Sequence, residues 1–405
     1  MHFFGWKVVA AAFVVAAFGW GVSFYGPPVF LHALHAARGW PVALISAAIT
    51  AHFLLGAVVV ARLEALYRRF GLPAVTRAGA LATALGMLGW ALAREPWQLF
   101  AATALSGTGW AATGGAAINA MIAPWFERRR AAALSLAYNG ASVGGVVFSP
   151  LWVALILVLG LPGAAALIGA AMVATLWLLA GRVFARTPES LGLAPDGEAG
   201  PPPRRATRPP LAGPALLADR RFATLALGTA LGLFAQIGLI AHLFSLLAAP
   251  LGAPGAGLAA ALATLCAIAG RTGLGWLLPA GADWRRAAAV NYAVQLAGSL
   301  ILLAAGGSVT LLLAGVVLFG LGLGNAASLP SVIVQREFAP ADTGRVVALV
   351  TAFSQAAYAF APAAFGALRD LAGAAPLFAA AGLAQLAAVF VLLLAGRRMS
   401  QFALD

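Results

Sequence analysis

APDGEAGPPPRRATRPP, residues 194–210, is unlike the rest of the chain. It is rich in Pro, Gly and Arg and holds no aromatic residue, so it cannot bury enough apolar surface to offset the entropy of ordering it. It reads as the centre of a solvated linker over residues 186–219. On either side, apolar runs of about 18 residues or more follow one another, each long enough to cross a bilayer as a helix. Before the linker they fall at about 6–34, 41–66, 73–93, 97–123, 130–157 and 160–182. After it they fall at about 221–248, 255–279, 287–305, 309–334, 343–368 and 374–396. The expectation is an all-α membrane protein of 12 transmembrane helices, with a six-helix half over 1–185 and a second over 220–405.

Composition supports this class. Of 405 residues, 62% are hydrophobic and 9% charged, and the mean hydropathy is +0.94. A soluble domain carries about 25% charged residues. Alternating segments of about 10 residues would signal a β-barrel, but the runs here are continuous. The formal charge of +13 does not point to nucleic acid, because the basic residues form short clusters between apolar runs. Cys266 is the single cysteine, which excludes a disulfide within the chain and disfavours a cysteine-based zinc site. No cofactor or metal is expected. The first run, from Trp6 to Leu34, is too long for a signal-peptide core and reads as a retained helix. Lys7 is the sole lysine among many alanines, which suggests a GC-rich bacterial genome and hence a bacterial inner membrane.

Of the 25 Lys and Arg residues, only Arg38, Arg94 and Arg369 fall in the segments that would lie outside if the N-terminus is inside. Apart from Arg271, the others collect in the alternate segments, from Lys7 through Arg128–Arg130 and Arg204 to Arg398. The positive-inside rule then puts both termini and the linker in the cytoplasm.

Several segments go beyond layout. FGWKVVAAAFVVAAFGWGVSFYGPPVF (4–30) resembles the first helix of the monocarboxylate transporters, within the major facilitator superfamily. WFERRRAAALSLAYNGASVGG (125–145) is similar to the start of their fifth helix, and AIAGRTGLGW (267–276) to their eighth, with its embedded arginine. The stretch 320–370, opening GLGLGNAASLP, resembles their tenth and eleventh helices, and bacterial oxalate–formate antiporters share much of the pattern. The resemblance implies a major facilitator fold, transport by alternating access and an organic anion as substrate. There are departures. YRRFG (67–71) carries Arg68 where the facilitator turn has an acid, with Glu64 one turn earlier. Pro28 follows Pro27 where the family often has lysine, and Ala267 stands where many members have aspartate.

Embedded polar residues are the candidate site. Arg271 lies about 12 Å from the inner end of its helix. An arginine at such depth costs at least about 2.5 kcal/mol unless it faces a cavity or partner. Its fork matches a carboxylate in two parallel bonds, although snorkelling or an interhelical bond is the competing reading. An uncompensated cation further requires either a wet cavity or backbone carbonyls to hold it. No Asp or Glu falls mid-span, so proton coupling would rest on His52 or on the substrate itself; His52 can equally be a neutral histidine bonded to a neighbouring helix. His242 is a candidate for gating. Tyr25, Asn119, Tyr138, Asn139, Gln236, Asn325, Gln355 and Tyr358 are the remaining candidate substrate contacts, each as well explained by an interhelical hydrogen bond. Asn291, Tyr292 and Gln295 on the ninth helix read as interfacial. Gly140 and Gly144, and the run Gly320, Gly322, Gly324, read as close-packing positions. Gly26-Pro27-Pro28 should break the first helix and free carbonyls, with a gating role for Pro27 and Pro28.

Two further classes compete with anion transport: an efflux transporter for hydrophobic or drug-like compounds, and a non-transporting sensor or membrane enzyme. The second has no support from HExxH, P-loop or nucleophile–base motifs. The partners expected are a small organic anion and the lipid bilayer, without nucleic acid, and the chain should act as a monomer.

Overall fold

The computed structural model describes residues 3–127, 129–197, 213–277, 282–326 and 328–396. The centre of the linker (198–212), Arg128, Arg204, Arg205, Arg208, Arg397 and Arg398, and the expected end of the eighth helix at Pro279 lie outside them. The described residues are 89% helix, with no strand. The chain divides into two compact units, Met1–Pro203 and Arg204–Asp405.

In the first unit, α1 comprises Gly5–Ser23 and Gly26–Arg38. α2 runs Val42–Val60 and on over 63–70, and α3 covers 72–92. α4 comprises Pro96–Ala111 and Gly115–Ile122. α5 (130–159) and α6 (161–184) follow. In the second unit, α7 covers 220–251 and α8 covers 253–277. α9 is Trp284–Ala304, and α10 comprises Val309–Ala326 and Leu329–Glu337. α11 comprises Pro340–Ala359 and Ala361–Ala372, and α12 is Ala374–Gly396. Among the described residues this matches the expected count of 12 spans.

Three of the turns share one chemical device. Gly71 (φ 78, ψ 155), Gly160 (φ 69, ψ 169) and Gly252 (φ 70, ψ 164) each interrupt what is otherwise continuous helix. Such a backbone is essentially restricted to glycine. Each glycine is followed two residues on by proline (Pro73, Pro162, Pro254), whose fixed φ suits the first turn of the next helix. A 53-residue apolar stretch such as Ala132–Phe184 would be about 80 Å long if straight. The turn at Gly160 folds it into two crossings of about the right length.

Small residues set how closely the helices pack. A Cβ at Gly140 or Gly144 would strike the main chain of Phe13 or Ala17, so α5 lies directly on α1. A Cβ at Gly86 would strike Ser106, and one at Gly107 would strike the main chain of His52, which joins α3 to α4 and α4 to α2. In lipid there is little hydrophobic force between helices, and this close contact takes its place. Large apolar side chains cover the outside instead: Leu157, Val158, Leu258, Leu383 and Phe390 are all exposed. Each unit has its own interior. Phe30, Trp90 and Trp152 pack edge to face in the first, and Phe222, Tyr292, Ile333 and Val350 centre a cluster in the second.

Candidate functional site

Helix breaks generate the polar features of both units. In α1 the helix slips at Phe24–Tyr25, and Tyr25 N–H bonds to Trp20 O (2.8 Å), five residues back. The break expected from Gly26-Pro27-Pro28 falls just before it, with both prolines buried at the start of the second piece. Gly21 O loses its helical donor by this slip and accepts instead from Trp152 Nε1 of α5 at 3.1 Å.

Around this break lies an aromatic and amide cluster. Trp20 packs edge to face on Trp110 (4.9 Å) and on Tyr138 (6.0 Å). The Tyr138 hydroxyl donates to Gly115 O (2.8 Å) and accepts from Asn119 Nδ2 (2.8 Å). The structure thus brings together Asn119 and Tyr138, two of the sequence candidates. Asn139, the next residue, is half-buried. Tyr25 is half-buried and stacks on Phe24 at 5.1 Å. His52 is fully buried on α2, with Nδ1 2.9 Å from Ser106 Oγ of α4. The Ser106 hydroxyl also donates to Thr103 O (3.3 Å).

In the second unit, Arg271 of α8 donates from Nε to Gly324 O of α10 at 3.0 Å. A backbone carbonyl thus holds this nitrogen, one of the two arrangements expected for an embedded arginine. Ala267, one turn earlier, brings no charge. Asn325 turns the other way: its Nδ2 donates to Asn291 Oδ1 of α9 at 3.0 Å, and it is 4% exposed. Asn291 Nδ2 and Gln295 Nε2 both donate to Gly322 O at 3.1 Å. The interfacial reading of the ninth helix is therefore corrected. These amides, with Tyr292, are buried, because their faces pack on α10 and α7 instead of the membrane surface.

Gln236 of α7 is buried with its Oε1 unpartnered among the described residues. Gln355 and Tyr358 of α11 are half-buried. His242 ties α7 to α11 through Nε2 and Pro362 O (3.1 Å), and Arg369 NH1 reaches Ser245 Oγ nearby.

Two features escaped sequence reasoning. At one end of the second unit, Arg285 bonds Glu337 through Nε (2.6 Å) and NH2 (2.8 Å), and also Thr224 Oγ1 and Arg221 O. The buried pair gives no local sequence signal, because its members lie 52 residues apart. Beside it, burial works against the Asp219 charge, but bonds from the Arg221 side chain and main chain outweigh it and hold the carboxyl below its usual range. The second feature is the start of the linker. Asp196 accepts from the N–H groups of Glu127 (3.1 Å) and Arg129 (3.2 Å). Gly197 packs on Phe3, and Phe3 and Phe4 stack on Trp125. Linker residues up to 197 are thus docked, a correction to the fully solvated reading.

Two six-helix units with broken helices and buried polar groups are the layout expected of a membrane transporter. The sequence description of the Major Facilitator Superfamily matches residues 8–362, and the chain belongs to that superfamily. It is a transporter, not an enzyme, and an integral membrane protein. It is 30% identical over 393 residues to monocarboxylate transporter 11 of Mus musculus, covering 94% of this chain and 76% of that protein. The Homo sapiens protein of the same name is 30% identical over 392 residues, covering 94% and 73%. The solved nucleoside transporter NupG superposes with a TM-score of 0.70 at 12% identity, covering 99% of this chain and 100% of that one. An inward-facing, unoccupied bacterial homologue of the human lysosomal transporter Spinster gives 0.69 at 16% identity, covering 98% and 96%. At these identities the two structures show a shared fold.

Proposed function

We propose that the protein moves a small organic anion, a monocarboxylate, across the membrane by alternating access, with Arg271 as the anchor. The observation that carries this is a guanidinium within the apolar α8 whose Nε is held by a neutral carbonyl. A carboxylate is the natural competitor for that position, because charged acceptors bind a guanidinium more strongly than neutral ones. The likeness to monocarboxylate transporter 11 supports the same substrate class. Tyr25, Asn119, Tyr138, Asn139, Gln236, Gln355 and Tyr358 are proposed to line the path, and Asn325 to steady α10 beside it. Pro27 and Pro28 at the α1 break and His242 at the α7–α11 contact are the proposed gating elements. Proton coupling falls to His52 or to the substrate.

In this reading residues 1–185 and 220–405 are the two moving halves, and 186–219 connects them. The clusters of arginine support a bacterial cytoplasmic membrane with both termini inside. One chain supplies both halves, so a monomer suffices.

Uptake of labelled lactate, pyruvate, acetate, formate and oxalate into proteoliposomes tests the reading. Wild type should take up at least one of them, and Arg271→Ala should lower uptake about 100-fold, the scale of a buried charge pair losing one partner. Uptake that persists in the variant removes Arg271 from the site. Failure to move any acid sinks the anion reading and leaves efflux of apolar compounds as the reading to test.

A further inference from the structure

We propose that Arg77, where α3 meets the end of α6, is a seat for the headgroup phosphate of an anionic phospholipid. The site belongs to the first unit alone.

Local structure sets the position. The turn at Gly71 starts α3, so Arg77 stands six residues, about 9 Å, along the new helix. Its guanidinium lies over the Trp177 ring of α6, 5.1 Å from the centroid. Just beyond Trp177, α6 widens into a π-helix over Ala180–Phe184. Such turns are rare and recur at functional positions. Gly181 lies in this one, and a Cβ there would be 2.7 Å from Arg77 NH2. The missing side chain is what lets the guanidinium tip reach across α6.

The fold holds this cation by a ring and leaves its donors underused. Arg77 Nε is buried with no hydrogen-bond partner among the described residues. A buried donor left unsatisfied costs about 1–3 kcal/mol. Arg285 shows what the same side chain does when the chain itself supplies an oxyanion: Nε and NH2 grip the two carboxylate oxygens of Glu337 side by side. Arg77 carries the same Nε and NH2 edge, and among the described residues no ion pair fills it. A phosphate matches that edge with two parallel bonds.

The surroundings favour a lipid as the source of the phosphate. Trp177 is exposed, and an exposed indole near a helix end belongs at the level of the headgroups. Arg62, Arg68 and Arg69 near the α2–α3 turn, and Arg182 beside Gly181, are exposed as well. Glu64 is the only acid in 62–77 and 177–182. Basic pockets between membrane helices at this level take anionic headgroups. Leu81 and Leu85 follow Arg77 at four-residue spacing on one face of α3, and both are exposed. A headgroup on Arg77 would lay its acyl chain along that stripe, which a free phosphate could not use.

Native mass spectrometry of the full chain in detergent, titrated with phosphatidylglycerol or phosphatidylcholine, tests this. Wild type should retain phosphatidylglycerol in preference to phosphatidylcholine. Arg77→Gln should weaken the tightest phosphatidylglycerol binding about tenfold, equivalent to about 1.4 kcal/mol. Gly181→Ala should weaken it too. There only the tip of a flexible side chain has to move, so this variant serves if Arg77→Gln does not fold. Arg38→Gln, at the far end of α1, removes the same charge and should leave the binding unchanged. Equal binding in wild type, Arg77→Gln and Gly181→Ala overturns the proposal, as does a loss in Arg38→Gln as large as in Arg77→Gln. Wild type that takes both lipids equally overturns it as well. Displacement of the lipid by an equal concentration of inorganic phosphate would assign the site to a free anion and overturn the lipid.

Discussion

Arg285 is a buried guanidinium held quite differently from Arg271. Its Nε, NH1 and NH2 all donate, to Glu337, Thr224 and the Arg221 carbonyl, and it is 3% exposed. Its charge is matched by a carboxylate that is itself 10% exposed. Breaking such a pair leaves an uncompensated buried charge, at a cost of about 3–5 kcal/mol. Glu337→Ala should therefore lower the thermal unfolding midpoint in detergent by many degrees. Arg286→Ala, which breaks an exposed pair with Asp283, should change it little, since surface pairs are worth about 0–1 kcal/mol. Equal shifts in the two variants would sink this account. Arg285 is thus held by a carboxylate, a hydroxyl and a carbonyl, and the Nε of Arg271 is held by the Gly324 carbonyl.

Glycine spacing governs the elements. The pair Gly140 and Gly144 recurs at one turn and puts one face of α5 on the main chain of α1. That pattern was legible, since GxxxG has one straightforward meaning in an apolar helix. The run Gly320, Gly322, Gly324 was legible only as close packing. That it serves two opposite partners follows from the 100° turn per residue, which sets positions two apart on nearly opposite faces. The turn glycines are a separate case. Gly160 holds φ 69 and ψ 169, where a side chain costs about 1–3 kcal/mol. Gly160→Ala should lower the unfolding midpoint, while Gly273→Ala, in α8 where a Cβ would meet nothing within 4 Å, should cost less. Fluorescence-monitored melts of the two proteins would check this, and a larger loss in Gly273→Ala would refute it.

For the whole molecule, the division into Met1–Pro203 and Arg204–Asp405 gives each six-helix set its own interior. Residues 194–210 were marked by composition as unable to form a core, yet Asp196 is anchored on the α4–α5 turn. The two observations make separate predictions. Ten Gly and Ser residues inserted after Pro203 should leave uptake and stability almost unchanged, because doubling a flexible loop costs only about 0.6 kcal/mol. Asp196→Ala should release residues 189–197 and speed trypsin cleavage after Arg186, read by gel. An insertion that abolishes uptake would show that the linker itself takes part in transport.

The class, the number of spans and the break beside Gly26-Pro27-Pro28 were all decided by the order of residues alone. In lipid main-chain polar groups must be satisfied inside the protein, mostly within their own helix, so apolar length, proline and glycine act locally and can be read one segment at a time. The place of Arg271 within an apolar helix was legible for the same reason. Its partner was not. Gly324 lies 53 residues away, Glu337 lies 52 from Arg285, and Gly322 lies 31 from Asn291. Which carbonyl meets which side chain depends on the rotation of one packed helix against another. One residue of slip turns a helix by about 100°, and only the packing of small residues across the bundle fixes that angle.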